Sequence, residues 1–253
     1  MTEKTAPGAD YDEFVDWDKR LAREAPFFRA VFDEVGAKTV ADVGAGSGRH
    51  ALMFASWGLM VYPVDPDPSM LAQARANAEA AGADLPFYEG VFGDVARVVP
   101  GRVDALTCLG NALPHVDGAA GLRRALEDFA EVIRPGGALV LHLLNHQRLL
   151  DSRIRSIPPV VRDTPEGTRV FLRVLDYDEP GGIGFEFLTL TRHAQADWAV
   201  ASRRSVHTAL PAFMLVDELD RAGFTRIALF GDHARKPFDG EHDESVIILA
   251  YRR

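Results

Sequence analysis

The sequence predicts an α/β fold: a Rossmann-like parallel sheet covered by helices on both faces, plus an inserted antiparallel β cap. Three observations predict it. Strand-like apolar runs alternate with helical periodicity from residue 11 onward. A glycine-rich turn, "GAGSG", joins the first such run to a helix. From residue 168 onward the helical spacing gives way to successive strand-like runs.

Taken in order, residues 11–35 carry apolar side chains at helical spacing interrupted by Pro26, and read as two helices ahead of the first strand. The strand-like runs that follow are "TVADV", "LMVYPVD", "LPFYEGV", "VDALTCL" and "GALVLHLL", with helices between them at 47–57, 67–82 and 119–133. The second of these helices opens with "DPSM", where Asp67 or Ser69 is the expected cap. Runs 168–178, 184–193 and 198–208 are strand-like, and "PGGIG" at 180–184 joins the first two as a hairpin. An amphipathic helix ending at Gly223 follows, then "TRIALFGD" and "SVIILAYRR", which complete the main sheet. The expected division is a core of residues 1–150 and 211–253, with residues 151–210 as the cap.

Composition narrows the partners. The 253 residues carry a formal charge of −9, which argues against a surface that tracks nucleic-acid phosphates. A single cysteine, Cys108, excludes a disulfide framework and a cysteine-based zinc site, and no metal is expected. No apolar run approaches the roughly 18 residues that a membrane span needs, and the N-terminus lacks a signal-peptide pattern. The expected protein is cytoplasmic, makes no nucleic-acid or membrane contact, and is compatible with a homo-oligomer.

The glycine turn raises the question of its ligand. A dinucleotide fingerprint has a small residue three positions after its second glycine, and here that position is Arg49. Asp65, at the end of the second strand run, has the spacing of a ribose-diol acceptor, which a dinucleotide and S-adenosylmethionine share. Asp42, two residues before Gly44, offers a carboxylate to an amino acid ammonium.

Four segments together resemble the class I S-adenosylmethionine-dependent methyltransferases: "VADVGAGSG", "VYPVDPDPSMLAQAR", "EGVFGDV" and "RPGGALVLHLLN". The resemblance implies S-adenosyl-L-methionine as cofactor and an antiparallel last strand. It also implies a cradle of Asp42, Gly44, Ala45 and Gly46, with Asp65 on the ribose, Met70 near the adenine, and Asp94 with the Val95 amide at the adenine edge.

A narrower likeness lies in "DALTCLGNALPHV", which is similar to the corresponding run of the glycine/sarcosine N-methyltransferase group. It implies that the Leu109 carbonyl holds the methionine ammonium, that Asn111 points at the substrate and that His115 lines the pocket. Tyr11, Trp17 and Arg20 would cover the cofactor, with Arg23 competing to pair with the methionine carboxylate. One departure bears on the acceptor. Where that group clamps a substrate carboxylate with an arginine before an Asn-Tyr pair, this chain has Leu144 before Asn145 and His146. A glycine carboxylate would lie there unpaired. Arg148, Arg153 and Arg155 are alternative cations.

The expected function is therefore N-methylation of a small amine other than glycine. An O-methyltransferase of a hydroxylated or phenolic metabolite, a noncatalytic S-adenosylmethionine binder and an NAD-dependent oxidoreductase are the alternatives. An oxygen acceptor needs a base, and His115, His142 and His146 are the candidates near strand ends, with His193 and His207 reaching from the cap. Phe171, Phe185, Phe187 and Leu190 give the cap an apolar character, part of it expected to face the pocket.

Overall fold

The computed structural model describes residues 12–164, 167–178, 180–193 and 197–253. Tyr11, expected over the cofactor, lies outside them. A helical turn at 12–14 precedes α1 (Trp17–Glu34). The chain then runs β1 (Thr39–Val43), α2 (Arg49–Ala55), β2 (Met60–Asp65), α3 (Pro68–Ala80), β3 (Tyr88–Glu89), α4 (Val95–Val98) and β4 (Val103–Cys108). After a 3-10 turn (Leu113–His115) come α5 (Gly118–Val132), β5 (Ile133–Leu144) and α6 (His146–Ser152). The cap strands are β6 (Ser156–Thr164), β7 (Gly167–Asp176), β8 (Gly182–His193) and β9 (Ala199–Thr208). The chain closes with α7 (Ala212–Arg221), β10 (Phe224–Phe230) and β11 (Ser245–Arg252).

The main sheet has the order β10-β11-β5-β4-β1-β2-β3. Its strands β1 to β5 pair in parallel, and β11 is antiparallel to both β5 and β10. The order reverses between β1 and β4, so the crevice for a ligand opens above the carboxyl ends of those two strands. Alternation along β5 sets the two faces. Leu139, Leu141 and Leu143 pack with Leu122 and Phe129 of α5 and Leu215 of α7. Ala138 and Val140 pack with Phe27, Phe28 and Val31 of α1 and Phe54 of α2. His142 continues the second series and faces α1.

Two expectations are corrected. The break between the first helices falls at Val15–Asp16, not at Pro26, which sits inside α1. Pro26 and Ala22, whose carbonyl loses its amide partner, are both exposed, so water replaces the missing bond. The four buried side chains of the following turns, Phe27, Phe28, Val31 and Phe32, hold the helix together across the proline. The cap has four antiparallel strands, in the order β6-β7-β8-β9, where three were expected. The missed strand, β6, contains Pro158 and Pro159 and slips register between Ile157 and Val160, which an edge strand tolerates. No helix among the described residues is long and apolar enough to cross a membrane.

Candidate cofactor and acceptor site

The glycine turn is built by left-handed backbone. Gly44, Gly46 and Gly48 have φ of 71°, 55° and 75°. A side chain at Gly44 would place its Cβ 2.5 Å from that of Ala112, in the loop after β4. The Gly44 and Ala45 amides donate to the Val64 carbonyl, which ties the turn to the end of β2. Asp65 completes the tie: its Oδ2 accepts from the Gly46 amide at 2.8 Å and its Oδ1 from the Asp67 amide at 2.9 Å. Each oxygen keeps a lone pair for a further donor. Burial raises the Asp65 pKa, opposed by these two amide bonds. Asp67 caps α3, accepting from the Ser69 amide at 2.8 Å, and half-buried Met70 follows in the first turn.

Asp42, at the end of β1, is buried. Its Oδ1 accepts from Thr107 Oγ1 at 2.7 Å, while Oδ2 has no hydrogen-bond partner. Burial raises its pKa. An orphaned buried carboxylate oxygen beside a glycine turn is the feature that an ammonium would satisfy. The Leu109 carbonyl accepts from the Ala112 amide and retains its second lone pair. Arg20 separates from its competitor: its side chain is 15% exposed against 69% for Arg23, and its charge reaches Asp42. Trp17 lies under the Arg20 guanidinium at 5.1 Å and edge-on to His50. These groups fit the amino acid tail, ribose and sulfonium of S-adenosylmethionine, with the carboxylate toward Arg20.

The adenine end departs from expectation. The Val95 amide donates to Asp128 of α5 at 2.8 Å, because the first amides of the single-turn α4 need an acceptor and Asp128 supplies it. Val95 is therefore not available to the ring. Asp94 is partly exposed and pairs with Arg97 at 2.5 Å.

Sequence reasoning missed Asp12. Its carboxylate accepts from Trp17 Nε1, Ser47 Oγ, Arg49 and Asn77 Nδ2, so the helical turn at 12–14 is stitched to the glycine turn and α3. The other side of that turn meets the cap. Arg169 pairs with Glu13 at 2.6 Å, Arg162 donates to the Glu13 and Phe14 carbonyls, and Phe14 packs edge-on against Phe171 and Phe187.

Of the candidate bases, the structure separates three kinds. His146 is 1% exposed; its Nδ1 accepts from the Leu210 amide at 3.0 Å, and burial lowers its pKa to about 4. It is a structural tie between α6 and the exit of the cap rather than a catalytic group. His142 faces α1, edge-on to His233, and burial lowers its pKa to about 3. Glu24, His142 and His233 bring ligand atoms within 4.8 Å of one another. Arg20 and His50 already bond the Glu24 carboxylate, and Arg23 lies 3.6 Å from it, so two guanidinium charges oppose a metal cation there. Although burial alone would raise it, the Glu24 pKa is held well below the carboxylate range by the His50 bond and the Arg20 charge.

His115 is the exception. It is exposed to the crevice, its ring 4.4 Å from that of His207, and its surroundings and the charge of Arg203 lower its pKa. Asn111, with a φ of 67°, does not point freely at an acceptor: Oδ1 accepts from the Leu144 amide at 3.0 Å, and Nδ2 lies 3.2 Å from His207 Nδ1. His207 stacks on Phe185 at 4.2 Å. His193 is exposed at the far end of β8, and Leu190 lies on the opposite face from Phe185 and Phe187. Leu144 packs beside the cap cluster of Leu149, Leu175, Ile183 and Phe185. Arg153 lies over Tyr177, whereas the charge of Arg203, on β9, acts on Asp67, His115 and His207.

With this geometry in hand, the comparisons with known proteins are consistent. Residues 40–137 match the methyltransferase domain family. The glycine/sarcosine N-methyltransferase of Parasynechococcus marenigrum is 33% identical over 141 residues, which are 56% of this chain and 50% of that protein. The chain spans about half the length of the first curated relatives it matches. The ubiquinone biosynthesis O-methyltransferase of Pseudomonas paraeruginosa is 27% identical over 63% of this chain and 72% of that protein. In fold, the chain resembles the S-adenosylmethionine-bound amino pentose methyltransferase CalS10 of Micromonospora echinaspora, with a TM-score of 0.76, 20% identity and coverage of 100% and 99% of the two chains. The fold is that of the class I S-adenosylmethionine-dependent methyltransferases.

Proposed function

We propose that this chain is an S-adenosylmethionine-dependent methyltransferase of a small molecule, acting on an amine larger and less anionic than glycine. The core is residues 1–150 and 211–253, and residues 151–210 cap the acceptor. When bound, the cofactor supplies an electrophilic methyl group on its sulfonium sulfur. The chain's own residues do the rest. Asp42 and Arg20 hold the charged tail, Asp65 holds the ribose, and the cap with the strap at 12–14 keeps water from the crevice. A neutral amine needs only positioning and a place for the proton it sheds. His115, held below the ordinary imidazole value, is neutral near pH 7 and takes that proton.

The observation that carries the choice of acceptor is Leu144. Its backbone amide is bound by Asn111 and its side chain lies with the apolar cluster of the cap, at the position where the resemblance to the glycine/sarcosine group implies an arginine clamp. A free amino acid carboxylate there would be desolvated without a partner. CalS10, methylating an amino pentose, exemplifies the alternative kind of amine on the same fold. A hydroxyl acceptor is the second reading, favoured by the neutral His115 as a ready base. The test is product release on a panel of glycine, sarcosine, amino sugars, aromatic amines and phenols. Amino sugars or aromatic amines are expected to turn over best, and efficient turnover of glycine would overturn the reading.

A further inference from the structure

A chain of hydrogen bonds of fixed direction runs from the core into the cap. It starts at a backbone amide. The Leu144 N–H can only donate, so the Asn111 oxygen accepting it is Oδ1, and the Asn111 amide group facing His207 is Nδ2, a donor. His207 Nδ1 must therefore accept. A neutral imidazole accepting at Nδ1 carries its proton on Nε2, which lies 3.2 Å from Ser205 Oγ. Ser205 accepts from His207, and among the described residues no acceptor for its own hydroxyl proton is present. Protonating His207 would set two donors, Nδ1–H and Asn111 Nδ2, against each other. Burial lowers the His207 pKa to about 3, and the charge of Arg203, with those of His115 and His146 once they are protonated, acts in the same direction. The ring cannot swing away, being stacked on Phe185 and set edge-on to His115.

Ser205 and His207 lie two residues apart on β9, hence on the same face, and that face is turned to Asn111 and His115. We infer that Ser205 is an acceptor-positioning residue: its hydroxyl donates a hydrogen bond to an oxygen on the acceptor, close to the nitrogen or hydroxyl that is methylated near His115. The preferred acceptor is then an amino alcohol or amino sugar rather than a plain amine. This rests on the amine reading above. It gives His207 a role distinct from that of His115: His115 takes a proton, whereas His207 never does so and only orients Ser205.

Two measurements test it on the full chain saturated with S-adenosylhomocysteine. In long-range proton–nitrogen spectra, His207 is expected to stay in the neutral Nε2–H form down to about pH 5. A ring that titrates near 6, or a proton on Nδ1, overturns the chain. In calorimetric titration, trans-2-aminocyclohexanol is expected to bind about 5- to 10-fold more tightly than cyclohexylamine, the value of one neutral hydrogen bond. That ratio is expected to fall to near one in Ser205→Ala and to return in Ser205→Thr, with S-adenosylhomocysteine affinity unchanged in both. An equal ratio in the wild type and Ser205→Ala overturns the role of Ser205 alone. Failure of both amines to bind the wild type overturns it together with the amine reading.

Discussion

Asp65 serves two masters at the glycine turn, holding the Gly46 and Asp67 amides while keeping lone pairs for a ribose diol. Asp65→Ala is expected to weaken S-adenosylhomocysteine binding at least tenfold, since each bond to a charged acceptor contributes about 1.5–3 kcal/mol. Calorimetric titration of a folded variant checks it, and unchanged affinity would remove Asp65 from the cradle. Gly46→Val tests the turn itself. A β-branched residue at a φ of 55° is strained, and its side chain would stand where the cofactor tail must approach the backbone, so binding is expected to be lost while the sheet persists in circular dichroism. Both residues were legible in the sequence because their relation is local, a turn and a strand end 19 positions apart. Asn111 and His207 were not paired by the sequence. They lie 96 positions apart, and no pattern of spacing says which strand of an inserted cap will face which loop.

At the scale of elements, the strap at 12–14 joins the two halves of the molecule that enclose the crevice. Asp12 holds the core side and Glu13 with Phe14 the cap side, so release of one carboxylate unpins the segment that carries Trp17 against Arg20. Asp12→Ala is expected to weaken S-adenosylhomocysteine affinity about 5- to 10-fold, by the loss of net hydrogen bonding that orders the strap. It is also expected to expose the N-terminal turn to limited proteolysis, and equal cleavage with and without the substitution would show the strap to be held elsewhere. The alternating pattern made the core strands readable, and Asp67 was readable as a cap. β6 was hidden because Pro158 and Pro159 are breakers in any local reading, and only the free edge of the cap sheet makes them harmless. α1 misled for the opposite reason: Pro26 looks like an end, yet aromatic packing beneath it carries the helix through.

Across the whole molecule, the histidines buried at the carboxyl end of the sheet make folding sensitive to acid. His142 and His207 are held at about 3, and His146 and His233 at about 4, against 6.5 for the unfolded side chain. Burial is the leading cause in each. As pH falls below about 6.5 the unfolded chain takes up protons that the folded chain refuses, so stability is complete above that value and declines toward the folded values. For one histidine held at about 4, the loss at pH 5 is on the order of 2 kcal/mol. Glu24 adds to the loss further down, since its folded value lies below that of a free carboxylate, and its support goes as pH falls through the carboxylate range. Calorimetric melting temperatures are therefore expected to drop between about pH 7 and pH 5 by several degrees for each such histidine, at about 2–4 °C per kcal/mol for a chain of this size. His207→Phe keeps the ring stack on Phe185 but cannot be protonated, so it is expected to melt lower at neutral pH and to lose less on acidification. A variant as acid-sensitive as the wild type would mean that the buried ring of His207 is protonated without cost, and the hydrogen-bond chain through Asn111 and Ser205 would then not be fixed in direction.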